Sequence, residues 1–245
     1  MSKVLIIGAT SAIAQSFARI LAKTQSEFYL VARSPEKLAA QAADLKVRGA
    51  SRVHVFATDL NHFEHHKTFI NEAKEFLGEI DTVLIAHGTL DNDLVAQENY
   101  EAAESIIRLN FLSPVSILTN LAPVLIDQKK GRIIVISSVA GDRGRQSNYI
   151  YGSAKSALST YLSGLRNRLA KQGVAVMTVK PGFVDTPMTK DFKKGLLWVT
   201  PDKVAKGIVK AVQRKQDVVY LPFFWQWIML VIRCVPEKIF KRLSL

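Results

Sequence analysis

The run Val4-Leu5-Ile6-Ile7, apolar at every position and stopped by Gly8, most constrains what this chain can become. An uninterrupted apolar run of this length suits a strand covered on both faces, as in the middle of a parallel sheet. The turn Gly8-Ala9-Thr10-Ser11 follows, and then Ala12 to Lys23, where Ile13, Phe17, Ile20 and Leu21 fall on one side of a helix. The alternation repeats along the chain. Strands are predicted at 27–32, 52–57, 81–86, 132–136 and 173–180, and helices at 35–48, 98–128, 149–170 and 201–214. Five or six buried strands separated by helices predict an α/β fold with a doubly wound parallel sheet in a single domain.

In such sheets ligands lie beyond the carboxyl ends of the strands. Gly8, Gly88, Ser138 and Pro181-Gly182 all fall at strand carboxyl ends, so they converge on one crevice. Strand, glycine turn and helix also begin a Rossmann-type dinucleotide-binding unit, in which the N–H groups of the helix N-terminus meet a pyrophosphate. The spacing here is Gly8-x-x-x-Ala12-x-Ala14, with alanine at two places where glycine would stand. A plain β-turn-α reads equally well. The second strand ends without an acidic residue for the ribose hydroxyls of NAD; Arg33 sits where a 2′-phosphate would lie. This predicts NADP(H) over NAD(H), a solvated turn arginine being the alternative. Asp59, followed by Leu60, falls where an adenine amino group would be met, or caps the next helix. His62 and His66 have the i,i+4 spacing a metal can use, with His65 between them. No third ligand type clusters beside them, so an exposed helix with no metal is expected.

Tyr151 and Lys155 lie one helical turn apart on one face. A free phenol titrates near ~10, and a fixed ammonium nearby pulls that value down. Such a pair can give or take a proton at a hydroxyl or carbonyl. Asn110 lies inside a long helical pattern, where asparagine costs propensity. Either its side chain has a task or it faces solvent. A kink is expected beside it at Ser113-Pro114.

The chain of 245 residues carries a net charge of +12, and residues 186–245 hold twelve Lys/Arg against four Asp/Glu. Solubility, an anionic membrane surface, an acidic substrate or nucleic acid can each account for such a bias. Aromatic side chains do not interleave with the basic ones as a stacking surface requires, which argues against nucleic acid. The single Cys234 excludes an internal disulfide and fits a reducing, cytoplasmic compartment. The N-terminal apolar run is too short for a signal peptide. The run 222–232 is almost wholly apolar, and Arg233, Lys238, Lys241 and Arg242 follow it. That is about half the ~20 residues of a membrane span. It suits either peripheral contact of 222–245 with the inner face of the plasma membrane or a subunit interface.

Gly8-x-x-x-Ala12, Asn110, Ser138, Tyr151-x-x-x-Lys155 and Pro181-Gly182, in this order, resemble the short-chain dehydrogenase/reductase family from residue 3 to about 215. The resemblance implies an NADP-dependent reduction of a ketone or ketose. It implies Tyr151 as acid/base, Ser138 on the substrate oxygen, and Lys155 lowering the tyrosine pKa and holding the nicotinamide ribose. Asn110 would keep a water that links the lysine to solvent. Cofactor contacts are implied at Gly8, Thr10, Ser11 and Ile13, at Arg33, Asp59, Leu60 and Gly88, and at Pro181, Gly182, Val184 and Thr186. The last two would meet the carboxamide. The family commonly forms homo-oligomers, and here the helices 98–128 and 149–170 would pair.

Two departures stand out. The phosphate turn has Ala12 and Ala14 for glycines, with the hydroxyls of Thr10 and Ser11 to compensate. The family's Asn-Asn-Ala-Gly stretch reads Ile85-Ala86-His87-Gly88, leaving only backbone pairing to brace the central strands. A narrower resemblance, in the runs 137–143 and 181–188 and in the tail from Ile228, is to reductases of decaprenylphosphoryl 2-keto-ribose. It implies a lipid-linked ketone substrate. The other readings are a relative acting on another lipid or small carbonyl compound, of 3-oxoacyl or ketosteroid type, and a non-catalytic NADP-binding regulator. The division expected is a Rossmann domain at 1–220 and an apolar, basic tail at 221–245.

Overall fold

A computed structural model describes residues 2–90, 93–190 and 192–243. Seven strands form one parallel sheet: β1 Lys3–Ile7, β2 Glu27–Ala32, β3 Arg52–Ala57, β4 Thr82–Ile85, β5 Gly131–Ile136, β6 Val174–Pro181 and β7 Val218–Leu221. Their order is β3-β2-β1-β4-β5-β6-β7. The helices are α1 Ala12–Ala22, α2 Pro35–Val47, α3 Glu64–Leu77, α4 Asp93–Ala96, α5 Tyr100–Ile107, α6 Ser113–Gln128, α7 Tyr149–Ala170, α8 Pro201–Gln213, α9 Trp225–Cys234 and α10 Glu237–Phe240.

Alternation along the strands feeds two cores. Val4, Ile6, Phe28 and Leu30 point to the face covered by α1, α2 and α8, against Phe17, Leu38 and Ile208. Leu5, Ile7, Tyr29 and Val31 point to the face covered by α3, α6 and α7, against Phe69, Leu118 and Leu158. Both faces of β1 are thus sealed, as its unbroken apolar run requires. Truncating one such leucine to alanine costs about 2–5 kcal/mol. Helix starts are set by polar caps: Ser11, Ser34, Asn99 and Thr200 each accept a first-turn N–H, at about 1 kcal/mol apiece.

The structure adds one strand to the expected five or six. Val218–Leu221 pairs with β6 through Lys180 opposite Tyr220. The break in the helical stretch 100–128 comes earlier than Pro114 suggests: Arg108–Leu112 form a π turn with Asn110 at its centre. Pro114 has no N–H to return to Asn110, so the ordinary i→i−4 bond cannot form there. By length and composition this stretch could cross a bilayer, but Ile117, Leu118, Leu121 and Leu125 are fully buried in the domain core.

The histidine triplet is not the exposed set expected. His66 is fully buried. Its Nδ1 meets Ser116 Oγ at 2.9 Å and its Nε2 meets the Leu60 carbonyl at 3.1 Å. It is a core residue with both nitrogens satisfied, and burial holds its pKa below the ordinary value.

The tail folds back onto the sheet's carboxyl end. Trp225 and Met229 of α9 are buried and pack with Val139. Arg143 fastens this arrangement. Its Nη1 donates to the carbonyls of Ile232 and Val235, both at 2.6 Å. Its Nη2 pairs with Glu237 at 2.9 Å, and its guanidinium lies 3.6 Å from the Phe240 ring centre. Residues 244 and 245 of the expected tail lie outside the described residues.

Candidate active site

A cleft of about 420 Å³ opens beyond the strand ends. Every residue expected there from the sequence lines it. Gly8, Thr10, Ser11, Ile13, Arg33, Asp59 and Leu60 stand at one end, Gly88 and Asn110 in the middle, and Ser138, Tyr151, Lys155, Pro181, Gly182, Val184 and Thr186 at the other. The sheet order explains this grouping: β2 and β3 lie on one side of β1 and β4, and β5 and β6 on the other.

Two glycines position the far end. A Cβ on Gly141 would stand 2.7 Å from the backbone of Lys155 and Ser156, and one on Gly152 would stand 2.9 Å from the Ala140 carbonyl oxygen. Their absence lets the 3-10 turn Val139–Asp142 lie flat on α7. Ser138 caps that turn, accepting from Ala140 N at 3.0 Å, and its hydroxyl hydrogen-bonds Tyr151. Ser137 ties the same strand end to α7 through the Lys155 carbonyl at 3.1 Å. The first turn of α7 is held from outside: Asp93 Oδ1 accepts from Tyr151 N at 2.9 Å, while Asn148 makes no side-chain cap.

Lys155 Nζ lies 5.6 Å from the Tyr151 ring centre and donates to the Ile136 carbonyl at 3.3 Å. The expected lowering of the tyrosine pKa does not prevail here. Burial pushes the phenol up to about 12, and the Ser138 hydrogen bond offsets only part of this. Burial also takes the Lys155 ammonium down to about 8. Desolvation outweighs the mutual effect of the pair. The phenol therefore keeps its proton across neutral pH, the state a proton donor needs.

Asn110 has its task. Its Nδ2 donates to the carbonyls of Thr89 at 2.8 Å and Ile106 at 2.9 Å. Its Oδ1 is buried without a partner and lies 2.6 Å from where a Gly88 Cβ would stand, with Lys155 Nζ 3.3 Å from the same point. Gly88 thus leaves room for asparagine and lysine to share one small space.

The two departures in the sequence find side-chain answers. His87 braces the central strand through Nε2 to Ser113 Oγ at 3.0 Å, and Ser113 Oγ donates to the Leu60 carbonyl at 2.7 Å. Backbone pairing is therefore not the only brace. Burial and the Lys155 charge push His87 down to about 3, so it is neutral. At the phosphate turn, the Ser11 hydroxyl accepts from Ala14 N at 3.2 Å; it caps α1 rather than standing free. Asp59 does not cap α3. Its Oδ1 accepts from Asn61 N at 2.8 Å, turning the chain at the cleft edge. Arg33 is exposed, with no ion pair among the described residues.

Sequence reasoning missed the packing behind the far end. Trp225 lies against Gly182, where any Cβ would overlap its indole, and meets Phe183 edge-on at 5.2 Å. It also missed Arg145 and Asn148, which line the cleft. A cation between Ser138 and Tyr151 was the available signal for Arg145; the contact between Trp225 and Gly182 had none.

The short chain dehydrogenase family matches residues 2–196. An uncharacterized oxidoreductase of Mycobacterium tuberculosis is 34% identical over 240 residues, 98% of this chain and 96% of the relative. The ketoacyl reductase HetN of a Nostoc species is 29% identical over 217 residues, 86% of this chain and 75% of the relative. Among solved structures, a single-substitution variant of the actinorhodin polyketide ketoreductase with NADPH superposes with a TM-score of 0.80 at 21% identity, covering 91% of this chain and 97% of that one.

Proposed function

We propose that this chain, which belongs to the short chain dehydrogenase family, is an NADP(H)-dependent reductase of a ketone or ketose. The observation that carries the reading is the convergence of Asn110, Ser138, Tyr151 and Lys155 in one cleft. The bound dinucleotide supplies a hydride to the carbonyl carbon. Tyr151, protonated at neutral pH, gives its proton to the carbonyl oxygen, and Ser138 steadies the charge that develops there. Lys155, beneath the phenol, holds the ribose and restores the proton, through a water kept at Asn110 Oδ1. Gly8 and the α1 N-terminus take the pyrophosphate; Asp59 and Leu60 border the adenine. A regulator without chemistry would have no use for all four polar groups.

The assay that tests this follows NADPH oxidation against simple ketones, 3-oxoacyl esters, ketosteroids and polyprenyl-phosphate-linked 2-keto sugars. Turnover of none of them would leave the regulator. The NADPH named with the actinorhodin ketoreductase and the unpaired Arg33 support NADP over NAD. Arg33→Ala is expected to weaken NADPH binding at least ~10-fold, as loss of a charge-assisted hydrogen bond implies, and NADH binding by less than about 2-fold. Equal losses for both would show that Arg33 does not read the 2′-phosphate.

Among carbonyl substrates, we favour one carried on a lipid phosphate, taken up at the inner face of a membrane. The support is the outer surface of the tail. Trp227, Leu230 and Val231 are exposed on α9 and Phe223 just before it, as are Phe192 and Leu196 in the loop before α8. Residues 222–243 then back the cleft wall at Gly182 and Val139 on one side and meet lipid on the other, with tryptophan at headgroup depth and cations toward anionic lipid. Subunit pairing through the outer faces of α6 and α7 is compatible with this. Liposome flotation checks it: the full-length protein should float with anionic vesicles at low salt, and Trp227→Glu/Val231→Glu should not. A full-length protein that stays in the soluble fraction makes the tail a subunit contact instead.

A further inference from the structure

Arg145, half-buried, stands apart from the other cations of the cleft region. It lies between the Ser138 turn and the start of α7 and lines the cleft at the Tyr151 end, away from Gly8 and Arg33. Its Nε is buried with no partner, and its guanidinium has no hydrogen bond or ion pair among the described residues. Asp142, the carboxylate whose charge acts on it, is already engaged: Lys180 Nζ meets one oxygen at 2.5 Å and the Tyr220 hydroxyl meets the other at 2.7 Å. Arg143, two residues away, has both Nη groups and its guanidinium face engaged by the tail. A partly desolvated guanidinium whose buried Nε has no partner is costly to keep. Its five N–H donors form a fork that matches an oxyanion.

We infer that Arg145 is a substrate-binding residue that recognises an anionic group, a phosphate ester, attached close to the carbonyl being reduced. This rests on the reading of the cleft as a ketone reductase and adds the chemical class of what it reduces. The position sets the geometry. Arg145 shares its cleft end with Asn148 and Tyr151, so a phosphate held there leaves the carbonyl beside the phenol. Two sources have this chemistry, a soluble sugar phosphate and a lipid-linked phosphodiester. Burial also depresses the guanidinium's proton affinity, a penalty that an anion in the cleft would relieve.

The test compares wild type with Arg145→Met and Arg145→Lys, with NADPH saturating. Substrates are dihydroxyacetone, dihydroxyacetone phosphate and a farnesyl-phosphate-linked ketose in detergent. For whichever phosphorylated ketose is turned over, Arg145→Met is expected to lower kcat/KM by about 10–100-fold, mainly through KM. Arg145→Lys should recover part of this, and dihydroxyacetone should change by less than about 3-fold. Which phosphorylated ketose is used tells the soluble source from the lipid one. Equal losses for neutral and phosphorylated substrates, or a loss of NADPH affinity in place of substrate affinity, would overturn the assignment. Calorimetric titration of methyl phosphate onto the NADPH complex needs no turnover. Tighter binding to wild type than to Arg145→Met supports the site, and equal binding removes it. NADPH binding measured alone reports separately on the reductase reading.

Discussion

Tyr151→Phe is expected to lower turnover at least ~10²-fold while NADPH affinity stays within about 2-fold. The phenol keeps its proton across neutral pH because burial pushes it up to about 12, so the loss of one hydroxyl removes the group poised to protonate the product oxygen. Nothing else changes much: the Tyr151 backbone remains tied to Asp93, and the ring remains in place. Tyr149→Phe is the control. Tyr149 is exposed, and the residue one turn on from it is Ser153. Steady-state kinetics with NADPH and the substrate found by the ketone survey measure both. Wild-type-like turnover in Tyr151→Phe would remove the phenol from the mechanism.

Gly8→Ala is expected to combine the largest loss of stability with a loss of cofactor binding. Gly8 has φ +77°, a left-handed conformation that costs a residue with a Cβ about 1–2 kcal/mol. A Cβ there would also overlap the His87 backbone at the end of β4, and relieving such overpacking costs about 1–3 kcal/mol more. For a chain of this size that total lowers Tm by roughly 5 °C or more. The displaced turn carries the N–H groups proposed to take the pyrophosphate, so NADPH affinity should fall with it. Thermal melts with and without NADPH test both parts. A melt within about 1 °C of wild type, against the expected several kcal/mol, would show that the turn relaxes freely. Ala12→Gly should be mild by contrast, since alanine is already accommodated there.

The fold is legible in the sequence where the code is local. β2 and β3 stand out at 27–32 and 52–57 because each is a bounded, β-rich run. The place of the cleft follows, since strand carboxyl ends fix where ligands go. β7 escapes because it has only four residues, Val218–Leu221, and merges with the apolar tail, Pro222 being the one break between them. The break reads in the sequence as a proline kink, whereas the chain forms a π turn centred on Asn110, whose side chain bonds Thr89 and Ile106. The bracing contacts are long-range. His87 meets Ser113, Asp93 meets Tyr151, and Arg143 meets Val235, across separations of 26, 58 and 92 residues. Local periodicity carries no record of such partners. The protonation of Tyr151 and Lys155 is hidden for a related reason: spacing gives the nearness of the two, whereas the desolvation that outweighs it comes from everything packed around them.

The contact between Trp225 and Gly182 gives the protein optical signals of its own. Indole emission overlaps the absorption of the reduced nicotinamide and not that of the oxidised form. Trp225 is buried against a residue of the cleft wall, so its fluorescence should dim when NADPH enters and brighten as the cofactor is oxidised. Trp227, two positions on, is 60% exposed on the opposite side of the same helix. Iodide will quench it in solution, and a lipid surface will shield it. A single helix therefore carries two light signals, one facing the redox state of the cleft and one facing whatever lies outside it.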